Sequence, residues 1–179
     1  MNMTQTERLQ KLLDVYSHQY DIDREGVLGG GEFPATATYF LRDENYLISK
    51  SHVLNAVENY DYVYFSLQDY LDAAALQRLI DKSLELGNQR VKPHKEHMSS
   101  FVTLIILADT IDEEAKKLLK RTRLRKYFRL ALHGWMEYHI AAIEISTMSF
   151  LSNPAGRDAR KTLELNFSPK AKKKGEYKQ

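Results

Sequence analysis

Apolar residues fall along this chain in two rhythms. From Leu9 through Leu12, Leu13, Tyr16 and Tyr20 they recur every three or four positions, the spacing of one helix face. Thr4 followed by Glu7 is a capping box, so the pattern predicts an amphipathic helix over residues 5–18. Asp21 to Gly31 then reads as a loop. Ala35 to Leu41, rich in Thr, Tyr and Phe, predicts a strand. Arg42 to Asn45 reads as a hairpin turn, with a return strand beginning at Tyr46–Ile48 and running on towards Val57. Asn59-Tyr60-Asp61 reads as a second turn and Tyr62 to Leu67 as a third strand, which together make an antiparallel meander.

The helical rhythm returns at Leu71, Ala75, Leu76, Leu79, Ile80 and Leu84, with Asp69 or Asp72 as cap and Gly87 as stop. Phe101-Val-Thr-Leu-Ile-Ile-Leu-Ala108 is the longest nearly unbroken apolar run. It has the length of a strand buried on both faces, and is predicted to be the centre of a sheet. Thr110 with Glu113 predicts a short helix. Tyr127–Leu132 and Met136–Ile145 predict two strands around His133-Gly134-Trp135, with Gly134 in a tight turn or bulge. Asn153-Pro154 predicts a helix running to Leu165. The expected architecture is one α+β domain over residues 1–167, with a mixed, mainly antiparallel sheet flanked by helices.

Charge divides this picture. The chain of 179 residues carries a net charge of +2, but Ser168–Gln179 holds five lysines against Glu176, a net +4, which leaves −2 for the rest. The body is slightly acidic, and the basic tail is expected to be disordered. There is no Cys, which excludes disulfides, thiolate metal sites and a cysteine nucleophile. No apolar run is long enough to span a bilayer and no leader pattern opens the chain, so a cytoplasmic protein without a membrane partner is expected.

Three clusters carry the candidate chemistry. In Lys92-Pro-His-Lys-Glu-His-Met98, His94 and His97 are spaced to share a face and grip one divalent metal, with Glu96, His133 or His139 completing the set. The basic stretch Lys116, Lys117, Lys120, Arg121, Arg123, Arg125, Lys126 and Arg129, interleaved with Tyr127 and Phe128, could follow a nucleic-acid backbone. It could equally be ordinary helix-end electrostatics, with Asp112, Glu113 and Glu114 at the opposite end. Trp135, Tyr138 and His139 beside Gly134 would form a ligand or partner patch if exposed. No phosphate loop, nucleophile elbow, His-Glu-x-x-His or dinucleotide fingerprint is present. No cofactor is predicted. The reading is a non-catalytic binding or interaction domain, with a homodimer as one form of it. A nucleic-acid-binding protein and a metal-dependent enzyme at His94 and His97 are the alternatives.

The blocks Phe40–Lys50, Val91–Met98, Leu132–Met136 and Asn153–Gly156 resemble those of a family of small uncharacterised bacterial proteins, clostridial in type, over residues 5–165. The resemblance implies a bacterial source and assigns no activity. The element order also resembles the opening of the restriction-endonuclease-like fold. That likeness implies an acid on the second strand and an acid-x-Lys pair on the third. Tyr62–Leu67 has neither, and Glu114-Ala115-Lys116 falls on a predicted helix, so the likeness implies such a fold without its active site.

Overall fold

The first helix is fixed by its cap. In the computed structural model, which describes residues 3–46 and 53–168, the Thr4 hydroxyl accepts from the Glu7 amide at 3.2 Å and Glu7 returns the bond to the Thr4 amide at 2.8 Å. Helix α1 (Gln5–Tyr16) follows, burying Leu9, Leu12 and Leu13.

The expected loop after it contains a short edge strand, β1 (Asp21–Asp23), paired antiparallel to the next strand, β2 (Ala35–Tyr46). The hairpin differs from expectation. β2 (Ala35–Tyr46) and β3 (Val53–Leu71) are two long strands, so both Arg42–Asn45 and Asn59–Asp61 are strand, not turn. Asn59–Asp61 stay extended because β3 is paired there on both sides, with β2 and with β4 (His97–Ile111), and Arg42–Asn45 because they pair with Asn55–Glu58 of β3; backbone pairing outweighs local propensity. The meander is therefore β1–β2–β3, and residues 47–52, where the return strand was expected to start, lie outside the described residues. So does the lysine-rich stretch from residue 169.

Helix α2 (Ala73–Arg90) is capped by Asp72. Gly87 does not end it. It lies inside, where a Cβ would sit 2.6 Å from Val102, so the glycine serves close packing on β4. Helix α3 (Glu113–Arg121) is capped by Asp112, not Thr110, which is still in β4. The strand expected over 127–132 is only β5 (Arg125–Tyr127). The chain then turns through left-handed Arg129, Leu130 and Ala131, which breaks any ladder. At Gly134 (φ +74°) a Cβ would run into the His97 and Met98 carbonyls, as a tight turn requires.

β6 (Trp135–Glu144) carries the short β7 (Ser149–Ser152), which the sequence did not suggest. Helix α4 (Arg157–Phe167) starts three residues later than expected. Asn153 is buried instead at the split edge of β6 and bonds the Ile140 amide, the Tyr138 carbonyl, the Thr122 carbonyl and the Gly156 amide.

The sheet runs β1-β2-β3-β4-β6-β5, with β7 also on β6. Its centre, β3-β4-β6, is parallel and its margins are antiparallel. "Mainly antiparallel" is thus corrected to a mixed sheet with a parallel core, as two helical crossovers demand. α2 and α3 cover one face, with Tyr64, Leu76, Leu104 and Tyr138 buried beneath. α1 and α4 cover the other, with Leu12 and Leu163 of the helices in one cluster with Phe65, Ile105 and Ile143 of the sheet. β4 lies at the centre, as its apolar octet predicted.

Candidate binding face at the amino ends of the parallel strands

Cover fails on half of one sheet face. In β6 every second residue from Trp135 to His139 is only half-buried while its neighbours are buried; from Ile140 onward burial is continuous. A strand rhythm of period two means one face is covered and the other open. The open residues share the α1/α4 face but lie beyond these helices, toward the amino ends of β4 and β6.

Register sets what this open half displays. Tyr39, Asp61, Phe101 and Glu137 are successive partners across β2, β3, β4 and β6, and Arg125 on β5 pairs with Glu137. Phe101 meets Trp135 edge-on at 5.5 Å and stacks on His139 at 4.8 Å. The Arg125 guanidinium lies 4.2 Å from the Trp135 ring centre and 3.1 Å from the Glu137 carboxylate. Asp61 accepts from Thr103 at 2.8 Å and from the Tyr20 hydroxyl at 2.9 Å. It keeps some solvent contact yet is packed round by protein. Burial pushes its carboxyl above the usual aspartate range, against Thr103, Tyr20 and the nearby His139. At the margin, a cleft of about 460 Å³ opens along the split edge between β5 and β7, lined by Arg123, Arg125, Glu137 and Asn153.

The opposite face at the same end holds a closed polar cluster. Glu58, almost without exposed surface, accepts from Arg42 at 2.5 Å and from the Tyr60 hydroxyl at 2.8 Å, and pairs with His94 Nε2 at 2.9 Å. Burial raises its pKa, but Tyr60, Arg42 and His94 outweigh that and hold the carboxyl below the usual range. Arg42 also reaches Glu96 at 2.9 Å.

Residues 4–165 match the profile of a domain of unknown function, DUF8052. The chain belongs to this family. No curated protein and no solved structure matches it.

The DUF8052 domain places the sequence candidates as follows. His97 is buried, with Nδ1 2.7 Å from the His133 carbonyl and Nε2 2.8 Å from the Ser100 hydroxyl. Both ring nitrogens are engaged, so His97 seats the Gly134 turn. His94 lies 6.2 Å away, centre to centre, and faces Glu58. His133 approaches through its carbonyl, and His139 stands on the other face against Phe101. The four imidazoles do not converge, and among the described residues no group of three or more His, Asp or Glu side chains could hold a metal ion. Trp135 and His139 do come together, on the open face. Tyr138 points the other way and is buried, hydroxyl to hydroxyl with Ser83 at 2.6 Å.

The basic stretch is divided between a helix and an edge strand. Lys116 pairs with Glu113 and with buried Glu144 at 3.1 Å, and Lys117 with Glu114. Arg123 donates to the Lys120 and Arg121 carbonyls. Lys126 lies over the Phe128 ring. Lys120, Arg121 and Arg129 are exposed. Sequence reasoning missed Glu58 and Asp61 because both were assigned to segments outside the sheet. β3 thus carries acids after all, on opposite faces; Tyr60 and Val63, not lysines, follow two positions later. The signals that could have found the open face are the alternations Trp135-x-Glu-x-His139 and Phe101-x-Thr103.

Proposed function

We propose that this DUF8052 domain is a non-catalytic binding domain and that it takes its ligand on the open half of the α1/α4 face. The observation carrying this reading is the change of character along one face. Under the helices it presents Ala35, Phe65, Ile105 and Ala141; beyond them it presents Tyr39, Asp61, Phe101, Trp135 and His139. Solvent-facing aromatic rings around a shifted carboxyl are a chemical arrangement suited to recognition. The groups that touch Asp61 are the Thr103 and Tyr20 hydroxyls, each of which donates to it. Its two oxygens are occupied by hydroxyl donors, which supports binding over catalysis.

The alternatives draw less support. A nucleic-acid surface over 116–129 would draw on a stretch in which Lys116, Lys117 and Arg125 already pair with this chain's own acids, and a metal site at His94 and His97 would need nitrogens already engaged. Trp135, the single Trp, reports directly on the proposed face. A panel of small cationic, neutral and anionic compounds, followed by Trp135 emission, is expected to contain at least one that gives a saturable change, lost in Phe101→Ala. If none shifts the emission, the reading fails.

A further inference from the structure

The open face already shows how it holds a guanidinium. Arg125 lies over the Trp135 ring while its Nη2 pairs with Glu137. Carboxylate and ring together make the seat: the carboxylate supplies the counter-charge and the ring face attracts the cation. Two strands over in the same row, across Phe101, stands a second carboxylate with aromatic residues as its register neighbours. Asp61 is the register partner of Phe101, as Glu137 is on the other side, and Tyr39 flanks Asp61 on β2. This second seat has the carboxylate and the rings but no guanidinium of its own.

The other buried carboxylates provide the contrast. Glu58 has Arg42 and His94, and Glu144 has Lys116. Asp61 has two hydroxyl donors; among the described residues no Lys or Arg forms an ion pair with it, and His139 acts from beyond ion-pair range. A carboxylate largely packed round by protein and lacking a counter-ion is costly unless something supplies one. Asp61 and Glu137 on one row also disfavour a phosphate or any other anion.

We infer that the Asp61 seat binds the guanidinium group of a small-molecule ligand, with Asp61 as counter-ion and Phe101 and Tyr39 as flanking rings. This rests on the binding-face reading above and names its ligand class. Hydroxyl donors hold each oxygen from one side, which leaves lone pairs for the paired N–H groups of a planar cation.

The test is an amide NMR titration of the full chain with butylguanidinium and, in parallel, with neutral butylurea of the same shape. Butylguanidinium is expected to shift the Asp61, Phe101 and Thr103 amides saturably, and butylurea to bind at least about tenfold more weakly. Asp61→Asn should weaken butylguanidinium by about tenfold or more, while Glu58→Gln, on the opposite face, should leave it unchanged; melting curves confirm that both variants are folded. Equal binding of the urea, no saturation by about 50 mM, or an unaffected Asp61→Asn would overturn the inference. If a neutral or anionic compound moves Trp135 emission and butylguanidinium does not, the ligand class is wrong and the binding face stands. If nothing moves Trp135, both readings fall.

Discussion

Glu58 and Asp61 sit three residues apart on β3 and have opposite fates. Odd spacing sends them to opposite faces of the sheet. Glu58 is met by Arg42, Tyr60 and His94, which tie the 92–96 connector to β2 and β3. Among the described residues Asp61 meets only hydroxyl groups directly, and burial wins. One carboxylate is part of the scaffold. The other is an incomplete arrangement, of the kind that folding alone gives little reason to keep. The contrast separates a polar cluster that ties β2, β3 and the connector together from a carboxylate that, among the described residues, has no Lys or Arg paired with it.

The largest effect is expected on the Glu58 side, where the cluster is closed. Gly134→Ala would drive a Cβ into the His97 carbonyl and ring at positive φ, unseating the imidazole on which Tyr60 stacks. A loss of about 3 kcal/mol in urea unfolding is expected. If Gly134→Ala is neutral, the His97 seat is not structural. Glu58→Gln, which removes the charge and one of the two acceptor oxygens that Arg42, Tyr60 and His94 share, should cost about 1–3 kcal/mol at neutral pH. Asp61→Asn should do the reverse and stabilise by about 1 kcal/mol, because it removes a charge with no direct counter-ion. The same sign for both variants would break the comparison.

Acid sharpens it further. Glu58 has a lowered folded-state pKa, so its stabilisation is present above the ordinary carboxylate range and lost as pH falls through the folded value. The cost of Glu58→Gln should shrink accordingly. Asp61 has a raised folded-state pKa, so its contribution is most favourable in acid and is lost as pH climbs from the unfolded value through the folded one. The gain from Asp61→Asn should vanish at low pH and appear as pH rises. Denaturant midpoints of the two variants across the acid range would show the opposed slopes.

These predictions rest on residues the sequence hid unevenly. The octet from Phe101 to Ala108 was legible because a strand buried on both faces has no choice but to be apolar. The Thr4–Glu7 box marked α1 because capping is local. Asn59-Tyr60-Asp61 misled because Asn and Asp favour turns in isolation, while here strands on both sides keep them extended. β1 and β7 are three and four residues long, too short to show a rhythm. Trp135 and His139 share a face because alternate strand positions point the same way, whereas grouping them with Tyr138 by nearness to Gly134 overlooked that Tyr138 then points to the opposite face. That Asp61 joins them follows only from β3–β4 register, which local sequence does not encode. The His94–His97 spacing was real, but the bulge at the start of β4 and the Gly134 turn send the two rings to different partners.

The most direct test is an NMR pH titration of the Asp61 carboxyl carbon, run with and without butylguanidinium. The account predicts a midpoint above that of an ordinary aspartate in the free protein, moving down when the cation is added. A midpoint in the ordinary range that ignores the cation would contradict it.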